Sequence, residues 1–362
     1  MAFVMGIGID KGEGDEMFEV TVQIARISGL KSSGSEGQGM GVGGKAYINI
    51  CRSGEGIQMP MRDIARFIDR ELYTGHNQVI VIGSEVAKGN IAPILDFFIR
   101  SADGRFAVAL LIAKGRAYDI LDHSSEMENL PATYLQSLIG ERANGGNAPD
   151  ATMINFLRDM LSSTTAPTIP IAEVVEDEKG EAQVILSGMG VFRGAGMCGV
   201  LRPEESQAVL AVKNKVNSGY CRLEALGGHI GLRFLSSESK ITPEYRDGKF
   251  KITVNLKQKA EIIETTLEAD LLSIEVREEL AEIVSRDSLR KFSDILAYSK
   301  SESLDVFGFG EELYRRFPRE SREVIKNWES EYPHLEVCFG VETVLLGSGA
   351  ILKPLTPSAE AD

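Results

Sequence analysis

The sequence predicts an α+β protein of three domains: an N-terminal mixed β-rich domain, a small α/β middle domain, and a C-terminal antiparallel sheet packed against a long helix. Three observations carry this expectation. Alternating apolar residues mark strands on both sides of a segment in which buried strands and helices alternate. Within that segment Val79-Ile80-Val81-Ile82 is an unbroken β-branched run, the mark of a strand covered on both faces. After residue 220, alternating strands give way to a long helical pattern.

Residues 3–9 read as a strand, 11–15 as a turn, and 18–27 as a strand with Phe18, Val20, Val22 and Ile24 on one face. The glycine run Gly6-Ile-Gly-Ile-Asp-Lys-Gly12 has the look of a phosphate loop, but it leads into a strand and not into a helix N-terminus. Residues 29–44, rich in Gly and Ser, form a flexible connection, and 46–51 a third strand. Helical periodicity runs over 57–72 through Ile57, Met61, Ile64, Ala65, Ile68 and Leu72. The buried strand at 79–82 follows, then a turn and a helix with Pro93 in its first turn and Ile94, Leu95, Phe98 and Ile99 in one stripe. Residues 106–112 are another buried strand, 113–121 a turn and short helix, and 131–142 and 153–161 two amphipathic helices split by the breaker at 144–149.

The Ser-, Thr- and Pro-rich stretch 162–170 marks a crossover between domains, and strands return at 171–175, 182–193 and 198–201. They continue the first meander, so the N-terminal domain is expected to be discontinuous, 1–56 with 170–215, around an inserted α/β domain at 57–169. Strands at 221–226, 231–240 and 249–263, joined by turns such as Tyr245-Arg-Asp-Gly248, open a C-terminal domain over 216–355. Its helix at 271–298 should lie across the sheet; shorter helices at 307–318 and 319–332 and a strand at 335–346 follow. Residues 356–362 are expected to be a disordered tail.

Acidic residues outnumber basic ones by 53 to 39, a net charge of −14, which disfavours nucleic acid and anionic lipid as partners. No apolar run reaches the roughly 18 residues a spanning helix needs, and the first residues lack a basic n-region and cleavage site. Cys51, Cys198, Cys221 and Cys338 are scattered in apolar contexts and read as small core residues. His76, His123, His229 and His334 are equally dispersed, so neither a metal nor a cofactor is expected.

No spacing announces catalysis. There is no Gly-x-Ser-x-Gly elbow, the glycines at 188–190 and 194–196 punctuate hairpins, and the acidic run 173–181 lacks the alternating ligands of a calcium loop. His76 reads as a helix-end residue, Asp96 and Arg100 as an i, i+4 ion pair, and Glu85 as support for a helix start.

Several segments together resemble the Ger(x)C family of spore germination lipoproteins, the C subunits of germinant receptors. They are Val4-Met-Gly-Ile-Gly-Ile-Asp-Lys11, Thr21-Val-Gln-Ile24, Gly75-His-Asn-Gln-Val-Ile-Val-Ile-Gly-Ser-Glu85 with Ile94-Leu-Asp-Phe-Phe-Ile-Arg100, Leu111-Ile-Ala-Lys-Gly-Arg-Ala117 and Gly188-Met-Gly-Val-Phe192. The resemblance covers nearly the whole chain. It implies a three-domain lipoprotein, secreted on a signal peptide and lipidated on an N-terminal cysteine. It also implies a place on the outer face of the spore inner membrane, beside integral-membrane A and B subunits that respond to nutrients. The sequence shows neither leader nor lipobox cysteine, so Met1 is expected to replace the natural leader in a truncated, soluble form.

Interfaces rather than an active site are therefore expected. The candidate partner surfaces are His76, Asn77, Glu85 and Arg100 in the middle domain and the polar face of the long helix, Arg277, Glu278, Arg286 and Arg290. The alternative is a secreted α/β small-molecule-binding protein or hydrolase, with a cleft at the carboxyl ends of the buried strands lined by Gly83, Ser84, Glu85 and Lys114.

Overall fold

The structure, a computed structural model, describes residues 1–14, 17–26, 45–101, 104–123, 125, 128–146, 148–216, 218–267 and 269–346. The expected Gly/Ser-rich connection at 29–44 and the expected tail at 356–362 lie outside the described residues. The chain divides into two compact units: residues 1–142, 148–162 and 166–203 form the first, and 143–147, 163–165 and 204 onward the second.

The first unit opens with an antiparallel meander, β1 (Ala2–Lys11), β2 (Met17–Ala25) and β3 (Tyr47–Glu55). Helix α1 (Gln58–Phe67) follows. It ends five residues before the expected 72, because Leu72 and Tyr73 form a short strand, β4, paired in parallel with Ala2 and Phe3 of β1. The apolar run becomes β5 (Val79–Gly83), buried at every position as its composition predicts. A single turn, α2 (Ser84–Ala87), and α3 (Ala92–Arg100) lead to β6 (Ala109–Ala113). The strand expected from residue 106 starts three later, and Phe106 is exposed. Then come α4 (Ala117–Asp122), α5 (Pro131–Asn144), α6 (Met153–Leu161), β7 (Thr168–Glu176), β8 (Ala182–Arg193) and β9 (Gly196–Leu201).

Among the described residues these strands make one sheet in the order β3-β2-β1-β5-β6-β7-β8-β9, with β4 beside β1. β1, β5, β6 and β7 run parallel in its centre, and antiparallel strands flank them. Strands β5 and β6, from the expected inserted segment, thus pair between strands of the expected N-terminal segment, and residues 1–55 and 171–210 share this sheet.

Both faces of the parallel centre are covered. Ile80, Ile82, Leu110 and Ile112 pack with Ile57 and Ile64 of the α1 region, Ile94, Leu95 and Phe98 of α3, and Met153 and Phe156 of α6. Val79, Val81, Ala109 and Leu111 pack with Ile120 and Leu121 of α4 and Leu135 and Ile139 of α5. Each buried Leu or Ile contributes about 1.5–3 kcal/mol relative to exposure, so the two cores dominate the unit's stability.

The main run of the second unit, from residue 204, opens in a helix the strand pattern did not announce, α7 (Pro203–Val212). It continues with β10 (Gly219–Ala225), β11 (Gly228–Arg246) and β12 (Lys249–Thr265), an antiparallel run. Asp247 and Gly248 sit at φ +51° and +76° between the two long strands, the positive-φ pair that a tight Asp-Gly hairpin demands. Helix α8 (Ile274–Ser301) starts three residues after the expected 271, because the Ser273 hydroxyl caps it by accepting the Val276 N–H at 3.3 Å. Its Leu280 and Val284 pack on Ile230, Leu232, Ala260 and Ile262 of the sheet.

A chain of polar contacts also ties α8 to the sheet. Gln258 donates to the hydroxyls of Ser288 and Thr343, and Ser285 donates to Thr343. Short helices α9 (Phe309–Arg316), α10 (Arg322–Lys326) and α11 (Trp328–Glu331) lead to β13 (Glu336–Leu346). β13 pairs with β12 in parallel, so the expected antiparallel sheet has one parallel edge. The intervening helices supply the long crossover that parallel pairing needs.

Candidate functional site

The carboxyl ends of β1, β5 and β6 are where an open α/β sheet commonly binds ligands, and here the chain fills that place itself. Asp10, near the end of β1, is only 4% exposed. Its carboxylate accepts the backbone N–H groups of Ala117 at 2.7 Å and Tyr118 at 3.0 Å, the first residues of α4. Burial pushes its pKa up, and the two backbone donors oppose that rise.

The glycines around it serve this closure. A Cβ on Gly8 would lie 2.9 Å from Leu121, so the glycine run of β1 lets α4 approach the strand. A Cβ on Gly83 would lie 2.3 Å from an Asp10 carboxylate oxygen. The other groups expected to line a cleft are committed to neighbours. The Lys114 ammonium pairs with Glu173 at 2.6 Å, Glu85 pairs with Lys88 at 2.6 Å, and the Ser84 N–H bonds to the Gly115 carbonyl. Arg116 pairs with Glu19.

Asp305 repeats the device in the second unit. It is 1% exposed, accepts the Gly308 and Gly310 N–H groups at 2.8 Å each, and so holds the start of α9. Burial raises its pKa to about 6 against the pull of those donors.

The residues expected at partner surfaces are not all exposed. His76 is exposed and stands edge-on to Phe3 and Tyr73, with ring centroids 5.3 and 5.4 Å away. Glu85 and Arg100 are exposed, and Arg100 makes the i, i+4 pair with Asp96 at 2.7 Å. Asn77, expected at the surface, is 6% exposed, because its N–H closes a turn to Thr74 immediately before the buried β5. On α8, Arg286 is exposed and pairs with Glu282, and Arg290 with Asp287. Arg277 is half-buried, its Nε out of solvent and without a hydrogen-bond partner among the described residues.

Cys198 and Cys338 correct the reading of all four cysteines as core residues. They are exposed on β9 and β13, edge strands whose alternate side chains face outward. Among the described residues no group of three or more His, Cys, Asp or Glu is placed to hold a metal.

Two polar residues escaped the sequence reading. Gln23, on the second face of β2, is fully buried, donates to the Leu121 carbonyl at 2.7 Å and accepts the Ala132 N–H at 2.9 Å. It fixes the end of α4 and the start of α5 to the sheet. Asp10 lies inside the glycine-rich strand motif, where it carries no separate signal.

The chain has counterparts among known proteins. A spore germination protein N-terminal domain matches residues 1–174, and a spore germination B3/GerAC-like C-terminal domain matches 187–349. The chain belongs to the Ger(x)C family of spore germination proteins. Among Ger(x)C relatives, spore germination protein KC of Bacillus subtilis (strain 168) is 23% identical, over 98% of this chain and 91% of its own length. Spore germination protein A3 of the same organism is 24% identical over 96% of this chain and 91% of its own. The crystal structure of the GerBC protein superimposes with a TM-score of 0.59 over 96% of this chain and 99% of that one, at 18% identity, which establishes a shared fold. No helix among the described residues is long and apolar enough to cross a membrane.

Proposed function

We propose that this Ger(x)C chain is the C subunit of a nutrient germinant receptor. It acts in spore germination as a non-enzymatic lipoprotein that assembles with, or signals to, integral-membrane A and B subunits. The observation that carries this reading is the pair of family domains, which together account for residues 1–174 and 187–349.

The geometry is in keeping with it. The crevice that would serve a hydrolase is occupied by Asp10, and its neighbours Lys114 and Glu85 are held in ion pairs. A body of net charge −14 gains nothing from an anionic surface. Its place on the outer face of the spore inner membrane therefore rests on an N-terminal acyl lipid, each buried CH₂ contributing about 0.8 kcal/mol. His76, Glu85, Arg100 and Arg286 are the exposed residues we assign to partner surfaces.

Purification of the lipidated protein from spore membranes tests the reading. The A and B subunits should co-purify with it, and deletion of its gene should impair germination on nutrients. Isolation without either subunit, together with normal nutrient germination after deletion, contradicts it.

A further inference from the structure

At the opposite end of the parallel strands the first unit holds a cavity of about 340 Å³, bounded by the residues that lead into β5 and β6 and by α1 and α3. That volume lies at the lower end of small-ligand pockets. Its apolar walls combine thioether and aromatic side chains, Met61, Phe97, Phe98 and Met153, with aliphatic ones such as Leu72 and Val108. Two cationic side chains, Arg62 and Arg105, line it, and both are exposed where the cavity meets solvent. Among the described residues neither makes an ion pair and no acidic residue lines the cavity, in a chain whose acidic residues exceed its basic ones by 14.

Asn77 also lines it, 6% exposed, with its carboxamide oxygen buried and without a hydrogen-bond partner among the described residues. An unmet buried acceptor costs about 1–3 kcal/mol. Half a turn of the carboxamide exchanges its oxygen and nitrogen, so the wall can present an acceptor to a guest.

We propose that this cavity is a binding site for a small organic monoanion with an apolar, ring-sized body and one hydroxyl or amine donor. The two guanidinium groups take the carboxylate, Asn77 accepts the donor's hydrogen, and the body lies against the Met and Phe wall. Guanidinium suits this role because its planar N–H pairs match a carboxylate's two oxygens. The inference does not depend on receptor assembly, since every lining residue belongs to the first unit.

The test is a titration of the isotope-labelled chain with 3-(4-hydroxyphenyl)propionate, followed by amide chemical shifts, with the corresponding neutral propionamide as control. Saturable shifts at Ala65, Asn77 and Val108 are expected, with the propionamide at least tenfold weaker. The double variant Arg62→Ala/Arg105→Ala should weaken binding tenfold or more at an unchanged melting temperature. Ala65→Phe, which adds a ring to the cavity wall from an exposed helix position, should abolish it. Absence of saturable shifts at millimolar probe, shifts confined to other residues, equal binding of the propionamide, or full binding by the double arginine variant overturns the proposal.

Discussion

At the carboxyl ends of β1, β5 and β6 a buried carboxylate bonds two backbone N–H groups and fills the crevice, whereas near the amino ends of β5 and β6 a cavity of about 340 Å³ reaches solvent past two arginines that make no ion pair among the described residues. Both ends belong to the same parallel strands, so the fold alone does not decide which end is open. The decision lies in single residues. Asp10, with glycine opposite it at position 83, lets α4 dock on the strand ends, whereas at the other end Phe97, Phe98 and Met153 line an open cavity.

The largest effect expected from breaking this contrast is at Asp10. Asp10→Ala strands the Ala117 and Tyr118 N–H groups in the interior and should lower the unfolding free energy by about 3 kcal/mol, measured by urea denaturation. A loss below about 1 kcal/mol would mean that water or another group replaces the carboxylate and that the end is not closed. Gly83→Ala should cost about 2 kcal/mol by the same measurement, because its methyl would meet the carboxylate oxygen at 2.3 Å.

The helix-start aspartate of the second unit sharpens the comparison through pH. Asp305 has a folded pKa of about 6, above the 3.8 of an ordinary aspartate. The folded state therefore binds the proton first as pH falls. Stability from this group rises between about pH 6 and pH 4, where the unfolded carboxyl also protonates, and is lowest above pH 6. Relative to Asp305→Asn, the parent chain should gain on the order of 1–3 kcal/mol on moving from pH 7 to pH 4.5, read from urea melts at each pH. A gain in the opposite direction would place Asp305 among carboxylates stabilised by charge.

The smallest effect is expected at the open end. Arg62→Ala and Arg105→Ala should each change stability by no more than about 0.5 kcal/mol, because both side chains are exposed and make no ion pair among the described residues. A loss of 2 kcal/mol or more would make them structural and the cavity a by-product of packing.

Much of this contrast was legible in outline. The run Val79 to Ile82, the helix after Pro93 and the Asp-Gly hairpin at 247–248 follow from periodicity and turn chemistry, and the structure keeps them. The helix at 203–212 was missed although Pro203, Glu204 and Glu205 are good first-turn residues, because its apolar positions run on without a polar face to mark a period. The parallel pairing of β13 was hidden because register is set by a partner strand far away in sequence.

The site was harder to read than the fold. Asp10 and Gln23 act through bonds to residues 98 to 109 positions away, which no local pattern contains. The cavity gathers Arg62, Asn77 and Arg105 from three separate loops and helices. Asn77 read as surface because its neighbours Gly75 and His76 are turn residues, but the turn folds it inward.

Asp10→Asn in spores tests the central claim, that the carboxyl strand ends are closed by structure. The amide can accept one N–H but faces the other with its own donor, so the melting temperature should fall, and nutrient germination should fall with it, both recovering together at lower temperature. Germination abolished at an unchanged melting temperature would contradict the account and give Asp10 a functional role beyond closure.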